Sequence, residues 1–205
     1  AASLVLTPTL AALGNTLARG FERKSRTSMP TSEKTPNIAT PPVIVFGTDD
    51  IGRTVADALE AHGVPYDAVE GDYERFLSAS ADGYPVAFGD LGDLRLMETL
   101  SYAERKVIVV SVASYELAQA LTPTMHERYP NLPCFVAVDT NEDKARFQDL
   151  GLRPVVNRSV PRGLDLAAAI LRFMDINDAK IQTWMRRQQE RLLQAAASRT
   201  ADVAI

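Results

Sequence analysis

The stretch Val43–Gly52, VIVFGTDDIG, constrains this chain more than any other. The apolar run Val43 to Phe46 is short enough for a buried strand and too short for a buried helix. Gly47 ends it. From Ile51 the sequence IGRTVADALEAHG carries apolar residues at helical spacing. Strand, glycine turn and helix, in that order, open a βαβ unit whose helix N-terminus can meet a nucleotide phosphate. The full fingerprint has glycine at the first, third and sixth positions. Gly47 and Gly52 fill the first and sixth, Thr48 and Ile51 lie between them, and Asp49 and Asp50 stand where the third and fourth belong. The middle glycine lets a pyrophosphate approach the backbone. An aspartate there adds both a side chain and a negative charge.

The pattern begun at Val43 repeats. Short apolar strands are expected at Val43–Phe46, Tyr66–Val69, Pro85–Phe88, Val107–Val112, Cys134–Val138 and Pro154–Val156. Helices are expected between them at Ile51–His62, Tyr73–Ser80, Leu94–Leu100, Tyr115–Tyr129 and Glu142–Leu150. Regular alternation of this kind predicts an α/β fold: a Rossmann-like, doubly wound, parallel six-stranded sheet. Right-handed crossovers give the strand order 3-2-1-4-5-6. A further amphipathic helix is expected at Gly163–Met174. After it, Ala179–Ala197 reads as a helix so polar that it packs weakly, meets a partner, or frays.

Upstream of the domain, AASLVLTPTLAAL is apolar but shorter than the roughly 20 residues a bilayer span needs. The basic residues Arg19, Arg23, Lys24 and Arg26 follow it. An apolar tail with positive charges behind it suits the cytoplasmic end of a membrane helix; a soluble amphipathic helix is the alternative. Residues 25–42 are rich in Ser, Thr and Pro and read as a linker. The expected organisation is therefore a membrane-helix end at 1–24, a linker at 25–42, the Rossmann-like domain at 43–174, and a polar helix and tail at 175–205.

Charge and composition exclude some functions. A formal net charge of -4 speaks against nucleic acid as a partner. The single cysteine, Cys134, sits in an apolar strand pattern, where a small buried residue is the simplest reading. No cluster of histidine, cysteine and carboxylate has metal-ligand spacing, so no metal site is expected. No nucleophile and base are paired in a motif, so no catalytic residue is assigned, and a Rossmann fold does not itself specify an enzyme.

The candidate site residues lie at the carboxyl ends of the expected strands, the edge on which such sheets bind ligands. Glu70 ends the second strand about twenty residues beyond the glycines, where an acid can accept hydrogen bonds from ribose hydroxyls. Asp72 follows it. Gly89 and Asp90 end the third strand; Asp90 either faces a ligand or caps the next helix. Ser111 ends the fourth strand, with Ala113 beyond it, where small residues leave room for a ligand or suit a tight turn. Asp49 or Asp50 can cap the first helix.

Taken in order, VIVFGTDDIGRTVADALEAHGVPYDAVEGD, FGDLGD, VIVVSVASYELAQAL, YPNLPCFVAV and FQDLGLRPVV resemble the RCK (KTN, TrkA-N) domain of Kef-type monovalent cation:proton antiporters. The resemblance runs from about Val43 to about Met174. It also favours the membrane-helix reading of the N-terminal stretch. It implies a domain at the cytoplasmic face of the inner membrane that binds NAD(H) or an adenine nucleotide such as AMP. It further implies a homodimer that regulates ion flux through the membrane-embedded antiporter domain of the same polypeptide. On that resemblance Gly47 and Gly52 form the phosphate turn, Glu70 holds ribose and Asp90 sits beside the nucleoside.

Where the family reads GxGRxG, this chain has Asp49 and Asp50. Where relatives carry an ARAR-like basic segment in the fifth strand, it has Val136, Ala137, Val138 and Asp139. Ser159 stands where a glutamate is common. Fewer positive charges make a ligand with fewer phosphates more compatible than a dinucleotide. Two alternatives stand beside the nucleotide-sensing domain: a structural, dimerising domain that binds nothing, and a stand-alone NAD-dependent oxidoreductase.

Overall fold

The structure, a computed structural model, describes residues 40–90, 92–93, 99–112 and 114–202. The expected membrane-helix end, most of the linker, Ala113, nearly all of the expected helix Leu94–Leu100 and the tail past Asp202 lie outside the described residues.

Six parallel strands form one sheet: β1 (Val43–Phe46), β2 (Tyr66–Glu70), β3 (Val86–Phe88), β4 (Val107–Val110), β5 (Cys134–Val138) and β6 (Arg153–Val156). Their spatial order is β3-β2-β1-β4-β5-β6, the order expected from alternation and crossover handedness. β1 is central, pairing Val43 with Tyr66 of β2 on one side and with Val107 of β4 on the other. The helices are α1 (Asp50–Ala61), α2 (Tyr73–Ala81), α3 (Tyr115–Arg128), α4 (Asn141–Asp149), α5 (Leu164–Phe173) and α6 (Asp178–Asp202).

Strand alternation divides the core in two. Val43 and Val45 point to one face, against α1, α5 and the start of α6. Ile44 and Phe46 point to the other, with Tyr102, Val136 and Phe147. Because both faces are covered, the strands are apolar throughout rather than alternating with polar residues.

Three local outcomes differ from expectation. The fourth strand stops at Val110 instead of Val112: β1 ends at Phe46, the residue paired with Val110, while β5 runs on to Val138 beside β6 alone. A short 3-10 turn, Tyr102–Glu104, precedes β4 and buries Tyr102. The polar C-terminal helix is anchored rather than loose. Ile181 and Trp184 of α6 are buried in the main core, and the Trp184 ring meets His62 edge-on at 6.2 Å. Only farther along, at Leu192 and Leu193, do its apolar residues turn to solvent.

The chain before β1 is fastened to the start of β4. The carbonyl of Pro42 accepts the N–H of Lys106 at 2.8 Å and that of Val107 at 3.2 Å. Arg105, whose side chain is 5% exposed, donates Nη1 to Pro41 O at 2.8 Å and Nε to Leu100 O at 3.2 Å, and pairs Nη2 with Asp67 at 2.5 Å. The Thr40 hydroxyl donates to Glu104. A buried guanidinium needs such saturation, since each unpaired donor costs desolvation energy.

Candidate functional site

The glycine turn is built by close approach. Gly47 has φ +93°, a region L side chains rarely adopt, and a Cβ there would lie 2.2 Å from Ser111 Oγ. A Cβ on Gly52 would lie 2.0 Å from the Gly47 carbonyl oxygen. Both positions therefore require glycine whether or not a ligand is bound. Their effect is to press the N-terminus of α1 against the carboxyl ends of β1 and β4, where the strand order reverses. A Cβ on Gly163 would meet Ile51 O and Thr54 Cβ, each at 2.9 Å, so α5 is pressed against the same end of α1.

Of the two aspartates in the turn, Asp49 is the N-cap. Its Oδ1 accepts the Gly52 N–H at 3.1 Å. Asp50 is the first helical residue. The chain thus supplies its own carboxylate to the helix end that would otherwise receive an anion. Arg53, one turn on, does not neutralise it: Nε goes to Thr48 O, and the guanidinium goes to Asp82 and Ser78.

Glu70 is 2% exposed and fully engaged. Its Oε2 accepts the Thr48 N–H at 2.6 Å and the Thr48 hydroxyl at 2.8 Å. Its Oε1 accepts the Asp72 N–H at 2.9 Å and Arg75 Nη2 at 3.2 Å. Burial by itself would raise the carboxyl pKa. The hydrogen bonds from Arg75, Asp72 and Thr48 outweigh it and lower the pKa to about 2. A carboxylate has about four lone-pair positions, and all are taken. Ribose hydroxyls would have to replace the two side-chain donors, Thr48 Oγ1 and Arg75.

The other expected site residues lie along the same edge. Asp72 is the N-cap of α2, accepting the Arg75 N–H at 2.9 Å. Asp90 Oδ1 accepts the Gly92 N–H at 2.8 Å and so tightens a turn. Gly89 donates its N–H to Glu70 O at 3.0 Å. The structure therefore brings the turn, Glu70, Asp72, Gly89, Asp90 and Ser111 to one edge of the sheet.

On the β4–β5 side of that edge lies a cleft of about 370 Å³. Ser111 lines it, 3% exposed, with a hydroxyl that has no hydrogen-bond partner. Asp139 closes one side through an ion pair with Arg162 at 2.6 Å. Sequence reasoning missed Arg162, which reaches the cleft from the loop after β6. It also missed Thr48 and Arg75 as partners of Glu70. A second, more apolar cavity of about 340 Å³ lies between α3 and the sheet, with Leu121, Met125 and Cys134 among its walls. Burial pushes the Cys134 thiol up to about 12, so it stays protonated at neutral pH. Among the described residues, no group of three or more His, Cys, Asp or Glu is placed to hold a metal ion. Among the same residues, no helix is long and apolar enough to cross a membrane.

The doubly wound parallel sheet, its reversal of strand order beside a glycine turn, and an acid ending β2 define a Rossmann-type nucleotide-binding fold. The chain belongs to the TrkA-N domain family, which it matches over residues 43–158. It is 26% identical over 200 residues to K(+) efflux antiporter 2, chloroplastic, of Arabidopsis thaliana, a match covering 95% of this chain and 17% of that protein. It is 25% identical over 149 residues to the putative K(+) efflux antiporter KefB of Alkalimonas amylolytica, covering 72% of this chain and 22% of that one. The chain thus spans about a fifth of the length of these curated relatives. The TrkA-N domain of the Escherichia coli inner membrane protein ybaL has the same fold, with a TM-score of 0.51 and 13% identity over 65% of this chain and 96% of that one. So does the GsuK channel bound to NAD, with a TM-score of 0.50 and 22% identity over 74% of this chain and 27% of that one.

Proposed function

We propose that this chain is the nucleotide-sensing regulatory domain of a potassium or other monovalent cation:proton antiporter, held at the cytoplasmic face of the membrane. It carries no reaction of its own. It pairs with a second copy and acts on the membrane-embedded part of the same polypeptide. The observation that carries the reading is the glycine turn. Gly47 and Gly52 aim the first turn of α1 at the point of strand-order reversal, in a family whose relatives here are named K(+) efflux antiporters. The ligand class is an adenine nucleotide: adenosine over Glu70, Asp72, Gly89 and Asp90, with phosphate toward the turn. AMP fits better than NAD(H), because Asp49 holds a carboxylate where a pyrophosphate would pass. Regulation follows if the nucleotide binds one arrangement of the dimer more tightly than another.

One observation favours a second reading, a domain that dimerises but binds nothing. Glu70 has no free acceptor position, and its side-chain donors must yield before ribose binds. Thermal unfolding separates the two. A ligand at a hundred times its Kd adds about 2.7 kcal/mol, which raises the melting temperature by several degrees. Stabilisation by millimolar AMP, exceeding that by NAD or NADH, is the expected result. A melting temperature unmoved by all three establishes the non-binding reading instead.

A further inference from the structure

Helix α3 does not seat on the sheet as α5 does on the opposite face. Of its fourteen residues only Thr122 is buried, whereas α5 buries six of ten. Its apolar side chains Leu117, Ala118, Leu121 and Met125 recur at helical spacing and face the sheet, yet each is only partly buried. Between them and the strands lies the cavity of about 340 Å³, with Ile108 and Val110 of β4 and Val136 of β5 as its floor. Protein cores pack like organic crystals, with few voids larger than a water molecule. A cavity of this volume falls instead in the range of small-molecule sites.

The walls define what the cavity can hold. Among the described residues that line it there is no carboxylate. Arg153 is the one arginine there, and its guanidinium stacks at 5.4 Å and 5.3 Å on the rings of Phe135 and Phe173, which belong to the other core. The Cys134 thiol stays protonated. The hydroxyls are already engaged: Thr122 donates to Ala118 O at 2.6 Å, and Ser114 donates to Glu116 at 3.0 Å and accepts the Leu117 N–H. A charged ligand would find no partner. Nor would a peptide segment, whose N–H and C=O groups must be paired, because β4 and β5 spend their own on each other. Walls of this kind also hold water poorly, since a buried water needs two to four polar partners.

We propose that the cavity under α3 binds a small, neutral, flat molecule made mostly of hydrocarbon, of the size of indole or naphthalene. A dry apolar cavity of about 150 Å³ takes up benzene, and about 340 Å³ has room for two fused rings. The rings lie between Leu117, Leu121 and Met125 on the helix side and Val110 and Val136 on the sheet side. Met125, unbranched and polarisable, fits that wall to different ring outlines. Entry is past the exposed lining residues at the two ends of α3: Val112 and Ser114 at one, His126 and Asn131 at the other. The site does not depend on a nucleotide at the glycine turn.

Titration of the 205-residue chain with indole, followed by nuclear magnetic resonance of isotope-labelled methionine methyl groups, tests the assignment. Met125 lines the cavity, while Met174 and Met185 pack against the other core and serve as internal controls. Bound indole should move the Met125 methyl signal saturably and leave those of Met174 and Met185 in place. Indole-3-acetate, the same rings with a carboxylate, should bind about tenfold or more weakly. Ala118→Leu, which places a larger side chain in the cavity, should weaken indole about tenfold or more without lowering the melting temperature. Should that variant fail to fold, the wild-type contrast between Met125 and the two control methionines decides the question. The proposal is overturned by a Met125 signal unmoved up to the solubility of indole, by equal movement of all three methionines, or by undiminished indole affinity in folded Ala118→Leu. It is also overturned if indole-3-acetate binds as tightly as indole, or if the Met125 signal moves with protein concentration before ligand is added, which would put a second copy of the chain over the cavity.

Discussion

At the residue scale, Glu70 sets the acid limit of the fold. Its carboxyl is held at about 2 in the folded chain, against an ordinary 4.5. A depressed carboxylate pKa stabilises the folded state fully above the unfolded value and stops doing so as pH falls through the folded one. The window for Glu70 is therefore about pH 5 down to about pH 2. Glu70→Gln should be less stable than wild type at neutral pH, with the gap narrowing by about 3 kcal/mol across that window. Urea unfolding at several pH values measures it, and a gap independent of pH would contradict the assignment. Asp49 invites a different change. Asp49→Gly removes the side-chain cap at a cost of a few tenths of a kcal/mol, and it also removes a charge from the path of a pyrophosphate. NADH affinity by fluorescence titration should rise about tenfold; an unchanged affinity would mean that Asp49 does not select against dinucleotides.

The site was only partly legible at this scale. Position and residue type brought Glu70, Asp72 and Ser111 into view, because strand ends can be read from hydrophobic runs. Their satisfaction could not be read. Thr48 and Glu70 are separated by the whole of α1, and Arg75 looks in the sequence like any surface residue of a helix. Arg162 enters the cleft only because the loop after β6 folds back, which no periodicity encodes.

At the scale of elements, the sheet was the most legible part. Strand runs bounded by turns, alternating with amphipathic stretches, fix a parallel order through crossover handedness. Element ends were less so, as the early stop of β4 illustrates: the run Val107–Val112 outlasts its pairing by two residues, because β1 ends at Phe46. By its average polarity the C-terminal helix reads as one that packs weakly, meets a partner, or frays. Two residues override that average. Ile181 and Trp184 seal the face built by α1 and α5, while Arg172 and Asp178 pair at 2.8 Å across the junction from α5 to α6. Trp184→Ala should cost about 3–5 kcal/mol by emptying that seat. Chemical denaturation gives the value; a loss below about 1 kcal/mol would place Trp184 outside the cooperative core. Leu193→Ala, far along the same helix and exposed, should leave the monomer's stability nearly unchanged.

At the scale of the whole molecule, dimerisation is the separate expectation. Light scattering at high micromolar concentration should return the mass of two chains; one chain's mass would remove the homodimer from the proposed function. The opposite edges of the sheet have different duties. The candidate nucleotide site lies where the strands end, while Thr40, Pro41 and Pro42 are fastened where β4 begins. Arg105 and the Pro42 carbonyl therefore determine how a mechanical pull would travel. Tension on the backbone ahead of Thr40 cannot peel β1 away one hydrogen bond at a time. It is shared at once with β4 through Pro42 and with β2 through the Arg105–Asp67 pair. The load enters three parallel strands together, so that no one of the three is drawn past its neighbours.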